Sequence, residues 1–313
     1  MGTQPELIVS IPSSETGAMT LDLRNRRFDL AATPLVMGIL NVTPDSFSDG
    51  GDHDDPKGAC ARAMSMIEQG ADIIDVGPES TRPGAASISA EQQIARAVGV
   101  IEAIRASNDS IPISIDTRLA SVAEAALDAG ADMVNDVSAL RDDDAMAGVI
   151  ARGRQAGSAS AVPVVLMHRR GSSSDMQRGG GPVYDDVIGE IAAFFRERMA
   201  YAVGLGISAE RIIFDPGIGF GKRVEHNLLI LRHLDRLVAL GRPVLVGASR
   251  KSFIGAVLEI DEPKRRDQAS LACAVMAVMS GAGILRVHDV RATAEAVRIC
   301  QAVRRARADA PGE

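Results

Sequence analysis

Residues 35–51 read LVMGILNVTPDSFSDGG, and the fold turns on this stretch. Its unbroken apolar run is the pattern of a strand buried on both faces, as in a parallel sheet covered by helices. The run empties abruptly into Asn41, Thr43, Pro44, Asp45, Ser46, Ser48, Asp49 and the pair Gly50 and Gly51. Carboxamide, hydroxyl and carboxylate oxygens are thereby gathered at the C-terminal end of a strand. Parallel α/β folds keep their chemistry at that end.

Upstream, residues 20–32 alternate apolar and polar side chains around Asn25, which predicts a small hairpin that would cover the bottom of the main fold. Downstream, residues 56–69 read as a helix stopped by Gly70. A rhythm follows: Gly70-Ala71-Asp72 opens the strand IIDV, Gly130-Ala131-Asp132 opens MVNDV, and Gly281-Ala282-Gly283 opens ILRV. Each time a helical pattern ends at glycine, which suits the left-handed helix cap, and a strand begins at once. Further helices are predicted over 90–106, 121–129, 143–154, 187–204, 225–240, 268–279 and 292–308. Strands are predicted over 113–116, 162–167, 212–215, 243–248 and 284–288. Strands and helices alternating eight times predict an α/β chain of (β/α)8 type, a TIM barrel with a short N-terminal hairpin. A doubly wound sheet would carry a GxGxxG fingerprint that is missing here, and Pro216 stands where a phosphate loop needs its first glycine. The organisation expected is a flexible tail over 1–19 and a single barrel domain over 20–313.

The totals agree. The 313 residues are 46% hydrophobic and 24% charged, enough to bury a proper core. No apolar run approaches the roughly 20 residues that cross a bilayer, and no secretory signal opens the chain. Cys60, Cys273 and Cys300 show no CxxC spacing and read as reduced thiols of a cytoplasmic protein. A net charge of −7 argues against a nucleic-acid partner, and the basic runs at 264–266 and 304–307 lack interleaved aromatics. His53 among Asp52, Asp54 and Asp55 reads as a solvated acidic loop, and His226 and His233 as ordinary helix residues.

Polar groups collect where the strands end. Asn41 closes the first, Glu79 to Gly84 follow the second, Asp116 ends the third, and Asn135 and Asp136 the fourth. Met167 and His168 end the fifth, Asp215 ends the sixth with Pro216 to Lys222 following, Ser249 to Ser252 follow the seventh, and Arg286 and His288 end the eighth. One shared pocket follows from that placement. Arg286 and His288, two apart on a strand, would share a face and make an anion site that Arg82, Arg250 and Lys251 could join. Asp116 and Asp215 could accept hydrogen bonds from the N–H groups of a heterocycle.

With these residues assembled, the chain resembles the dihydropteroate synthases of the folate pathway. The motifs are LVMGILNVTPDSFSDGG, GADIIDVGPESTRPGA, ISIDT, NDVSA, VLMH, DPGIGFGK, GASRKSFIG and RVHDV, in that order along the chain. The resemblance implies condensation of 6-hydroxymethyl-7,8-dihydropterin diphosphate with 4-aminobenzoate, release of pyrophosphate with Mg2+, a homodimer, and sensitivity to sulfonamides. It implies that Asp116, Asn135, Met167, Asp215 and Lys251 bind the pterin, with Lys251, Asp116 and Asp215 serving catalysis. Asn41, Arg286 and His288 would hold the diphosphate, with Asn41 also meeting the metal. Thr81, Arg82, Pro83, Phe220 and Ser252 would frame the aminobenzoate. Matched pairing of this kind gives specificity because a wrong heterocycle leaves buried groups unsatisfied. Two departures stand out: Pro78 replaces a usual glycine ahead of the second loop, and residues 155–161 lengthen the approach to the fifth strand, away from the site. A pterin-binding methyltransferase domain would share the barrel and the carboxylates but need no diphosphate grip.

Overall fold

The structure, a computed structural model, describes residues 19–42, 56–79, 88–155, 161–171 and 182–306. A two-stranded antiparallel hairpin comes first, β1 (Thr20–Leu23) and β2 (Arg26–Asp29). Its turn residues Arg24 and Asn25 both take left-handed backbone conformations, φ 49° and 57°, as a two-residue hairpin turn matched to strand twist requires.

Eight parallel strands follow: β3 (Leu35–Asn41), β4 (Ile73–Gly77), β5 (Ile113–Asp116), β6 (Met133–Asp136), β7 (Val164–Met167), β8 (Ile212–Asp215), β9 (Leu245–Val246) and β10 (Ile284–Val287). They pair in the order β8-β7-β6-β5-β4-β3-β10-β9, and a parallel bridge between Phe214 and Val244 closes the ring. This is the (β/α)8 barrel. The helices are α1 (Pro56–Glu68), α2 (Ala90–Ser107), α3 (Ala120–Asp128), α4 (Met146–Arg152), α5 (Val187–Gly204), α6 (Val224–Arg232), α7 (Leu234–Val238), α8 (Ser252–Leu258), α9 (Asp267–Met279) and α10 (Val290–Arg305). Two differences from the sequence reading concern helices. The single helix expected over 225–240 is two, broken at His233, whose backbone leaves the helical region at φ −117° and ψ 28°. The seven-residue α8 carries too short a pattern to register as a helix.

The Gly-Ala-Asp repeat has a physical job. Gly70 and Gly130 end their helices at φ 102° and 114°, where a side chain would be strained. The carboxylate two residues on then accepts an N–H of the neighbouring strand: Asp72 from Val36 at 2.9 Å, Asp132 from Ile113 at 2.8 Å. Each step therefore locks the start of one strand to the start of the next.

The barrel has a floor and a mouth. Leu35, Met37, Ile73, Met133, Val165, Ile213, Leu245 and Ile284 point inward near the strand starts and pack against Leu21, Leu23, Phe28 and Leu30 of the hairpin segment. Full burial of such side chains stabilises by ~1.5–3 kcal/mol each, so the hairpin is an apolar plug. Gln155 pins it from the side: its carboxamide nitrogen donates to the Asp22 carbonyl at 2.9 Å and its oxygen accepts from the Arg24 N–H at 2.8 Å. Above the floor the inward positions turn polar, and the site begins there.

Candidate active site

Strand register sets the site's levels. Asp116 lies beside Asn135, Met167 beside Asp215 and Asn41 beside Gly77, so residues at or next to the ends of six strands stand around one mouth. Asp116, Asn135, Met167 and Asp215 are all buried, and Asn41 is half-buried at its edge.

Arg286 reaches across the interior. Its Nε donates to Asp75 Oδ2 at 2.7 Å and its Nη2 to Asp116 Oδ2 at 2.7 Å, while the Asn135 amide nitrogen lies 3.4 Å from the same Asp75 oxygen. Burial opposes the Arg286 charge, but the Asp75 and Asp116 carboxylates more than offset it and raise its pKa. Asp116 is pushed up to about 7, first by burial and then by Asp75, Asp136 and Asp215, against the pull of Arg286. Asp116 Oδ1 and Asn135 Oδ1 are buried with no hydrogen-bond partner among the described residues. A buried acceptor left unmade costs ~1–3 kcal/mol, so these oxygens are open to a further donor.

Opposite them, Asp215 Oδ1 accepts from the Gly217 N–H at 2.7 Å, and burial raises its pKa. Lys251 Nζ donates to the Ile218 carbonyl at 2.6 Å and sits 4.0 Å from the centre of the Phe220 ring. Burial lowers the Lys251 pKa to about 8, with Asp215 resisting and Arg286 adding to the fall. The loop that carries these contacts is clamped from beneath. Lys222 Nζ is within 3.0 Å of His168 Nδ1, 2.9 Å of the Gly217 carbonyl and 3.1 Å of the Phe220 carbonyl. Burial and the Lys222 charge hold the His168 imidazole neutral, down to about 2; burial lowers Lys222 itself to about 7, and its charged form donates to Nδ1.

The sequence-predicted residues are therefore brought together for the most part. Asp116, Asn135, Met167, Asp215, Lys251, Phe220 and Arg286 surround one mouth. His288 lies just past the end of β10 with Nδ1 2.9 Å from Ser249 Oγ, and Ser252 is the exposed first residue of α8. Thr81, Arg82 and Pro83 lie outside the described residues. Arg250 does not join the anion site: its guanidinium is held by Asp267 through Nε at 2.6 Å and Nη2 at 2.9 Å. Asp75 escaped the sequence reading of the site, and Lys222, in the loop after the sixth strand, was given no role there. A carboxylate inside the otherwise apolar IIDV was the signal for Asp75, a charge that a doubly buried strand carries only if paired.

Comparison with known proteins places the chain among relatives of the same fold. A family model described as "Pterin binding enzyme" matches residues 37–288. The dihydropteroate synthase of Synechocystis is 45% identical over 276 residues, 88% of this chain and 92% of that protein. The Xanthomonas albilineans dihydropteroate synthase solved with 4-aminobenzoic acid superposes with a TM-score of 0.83 at 43% identity, covering 93% of this chain and all of that one. A structure of the Xanthomonas enzyme in complex with 7,8-dihydropteroate matches at a TM-score of 0.80 and 41% identity, over 92% of this chain and all of that one. The chain belongs to the pterin-binding enzyme family, among its dihydropteroate synthases.

Proposed function

We propose that the chain condenses 6-hydroxymethyl-7,8-dihydropterin diphosphate with 4-aminobenzoate, giving 7,8-dihydropteroate and pyrophosphate. The observation that carries this reading is the pair of buried acceptors on Asp116 and Asn135, unpartnered among the described residues and at the same mouth as Asp215 and Lys251. A pterin presents its 2-amino group and N3–H as donors and O4 and N5 as acceptors. Asp215 takes the donors, Lys251 donates to the acceptors, and Asp116 and Asn135 bind the remaining edge while Met167 packs on the ring. Arg286 spends two nitrogens on Asp75 and Asp116, which leaves Nη1 for the diphosphate beside His288 and Asn41. Phe220 and Ser252, with Thr81, Arg82 and Pro83, frame the aminobenzoate.

In the reaction the bond from the pterin methylene to the diphosphate oxygen breaks, and the electron pair leaves with pyrophosphate. The amine nitrogen of aminobenzoate bonds to the methylene and gives up one proton. The electron-rich dihydropterin stabilises positive charge on that carbon, so the substitution is dissociative and uses no enzyme nucleophile. Mg2+ takes few protein oxygens and keeps most of its waters beside substrate phosphates. One carboxamide oxygen, Asn41 Oδ1 beside the side-chain-free Gly77, suits that demand. When bound, the ion neutralises charge on the leaving pyrophosphate.

The protein acts as a homodimer in the cytoplasm, on this reading. Its three cysteines are unpaired, as a reducing compartment keeps them, and no helix among the described residues is long and apolar enough to cross a membrane. Asp215→Asn tests the pterin pocket, because the amide presents a donor where two N–H groups need acceptors. The lost charge-assisted bond is worth roughly 1.5–3 kcal/mol, so calorimetry should show pterin diphosphate binding at least tenfold weaker. Unchanged affinity would remove Asp215 from the pocket and the reading with it.

A further inference from the structure

Lys251 is oriented from behind. The residue before it, Arg250, holds a left-handed backbone at φ 59°, a conformation that costs a long side chain about 1–2 kcal/mol. Every polar group of Arg250 is tied to the start of α9 or the residue preceding it. The guanidinium meets both carboxylate oxygens of Asp267 at 2.6 and 2.9 Å. Its N–H donates to Ser270 Oγ at 2.9 Å, its carbonyl accepts from Arg266 Nη1 at 3.1 Å, and Ser270 Oγ donates onward to the Arg266 carbonyl at 2.7 Å. The left-handed turn cannot relax to an extended backbone without breaking these bonds. It delivers Lys251 to the N-cap of α8 with φ −66° and ψ 151°, from which the side chain reaches the Ile218 carbonyl over the Phe220 ring. In front there is no slack either: a Cβ on Gly219 would lie 2.8 Å from Lys251 Cδ.

We propose that Asp267, acting through Arg250 with Ser270 and Arg266, is a positioning residue for pterin binding that fixes where the Lys251 ammonium points. Asp267 belongs to a helix on the outside of the barrel. It contributes to the reaction only by holding the turn ahead of Lys251. A bidentate Arg–carboxylate pair suits this task because it fixes direction as well as distance.

The inference rests on the pterin reading of Lys251, and a double-mutant cycle separates the two. Pterin diphosphate is titrated by calorimetry into the wild type, Asp267→Asn, Lys251→Ala and the double variant, with thermal stability recorded for each. Lys251→Ala should weaken binding, and no loss there would overturn the pterin reading itself. Asp267→Asn should weaken binding about tenfold in the wild type and less than about twofold when Lys251 is already alanine. Equal losses in both backgrounds would show Asp267 acting without Lys251, and no loss in the wild type would show it has no part in binding. Either result overturns the proposal. Should Asp267→Asn fail to fold, Ser270→Ala, which removes the acceptor of the Arg250 N–H, runs the same cycle with the same outcomes.

Discussion

Two titrating side chains face each other across the mouth, and their roles require opposite protonation states. Asp116 accepts most strongly from the ligand when ionised, yet burial pushes its pKa up to about 7, so binding weakens as pH falls through that value. Lys251 donates best as an ammonium, and burial pulls it down to about 8, so binding weakens again as pH rises past it. Affinity for pterin diphosphate should therefore peak between about pH 7 and 8 and fall on both sides. Lys251→Ala should erase the alkaline limb and leave the acidic one. A flat profile over pH 6–9, measured by calorimetry, would contradict both assignments. Asp116, Asn135, Asp215 and Lys251 could be read from the sequence because each sits at or just past the end of an apolar run, and strand ends in this fold face the site. Asp75 could not be placed so easily. It lies mid-strand, and a strand buried on both faces gives no alternation to say which side chains point inward. Arg250 was misread for the same want of direction, since no sequence pattern marks a left-handed arginine.

The loop after β8 shows how an element can be dictated by two missing side chains. Gly217 takes φ 65°, and a Cβ there would stand 1.9 Å from the His168 carbonyl oxygen. Gly221 takes φ 62°, and its Cβ would stand 2.0 Å from the Arg170 carbonyl oxygen. Backbone thus packs on backbone, and Lys222 ties the two layers together from inside. Gly217→Ala should force the loop away from β7, at a cost of at least ~1–2 kcal/mol from the left-handed backbone alone. It should lower Tm and pterin affinity together, because Asp215 Oδ1 loses the Gly217 N–H it accepts from. A variant with wild-type Tm and affinity would show that the loop is not under this constraint. Most elements were legible from pattern and punctuation: the helix stops at Gly70, Gly130 and Gly281, the helix over 90–106, and the hairpin around Asn25. The break at His233 was not, because apolar periodicity continues through it and only the backbone turns.

At the scale of the molecule, the outside of the barrel is unevenly finished. Eight of the twelve large apolar side chains left exposed among the described residues lie on α6, α8, α9 and α10: Leu228, Leu229, Val257, Leu258, Met276, Met279, Ile299 and Val303. On α9, Ala272, Met276 and Met279 recur at helical spacing on the exposed side, so that helix has an apolar stripe on both faces. A face of this kind is ordinarily covered, and in the proposed homodimer a second copy of the chain would cover it with twofold symmetry. Light scattering at micromolar concentration should give the mass of a dimer, and replacing Met276 and Met279 by Glu should give a monomer. A monomeric wild type would rule the dimer out. The proposed reaction draws on the mouth as a whole, and pyrophosphate release reads it out. With pterin diphosphate, 4-aminobenzoate and Mg2+ present, release should proceed over many turnovers and match the dihydropteroate formed one for one. It should fall to background when aminobenzoate is withheld. Binding of both substrates without release of pyrophosphate, or release that yields no dihydropteroate, would contradict the account.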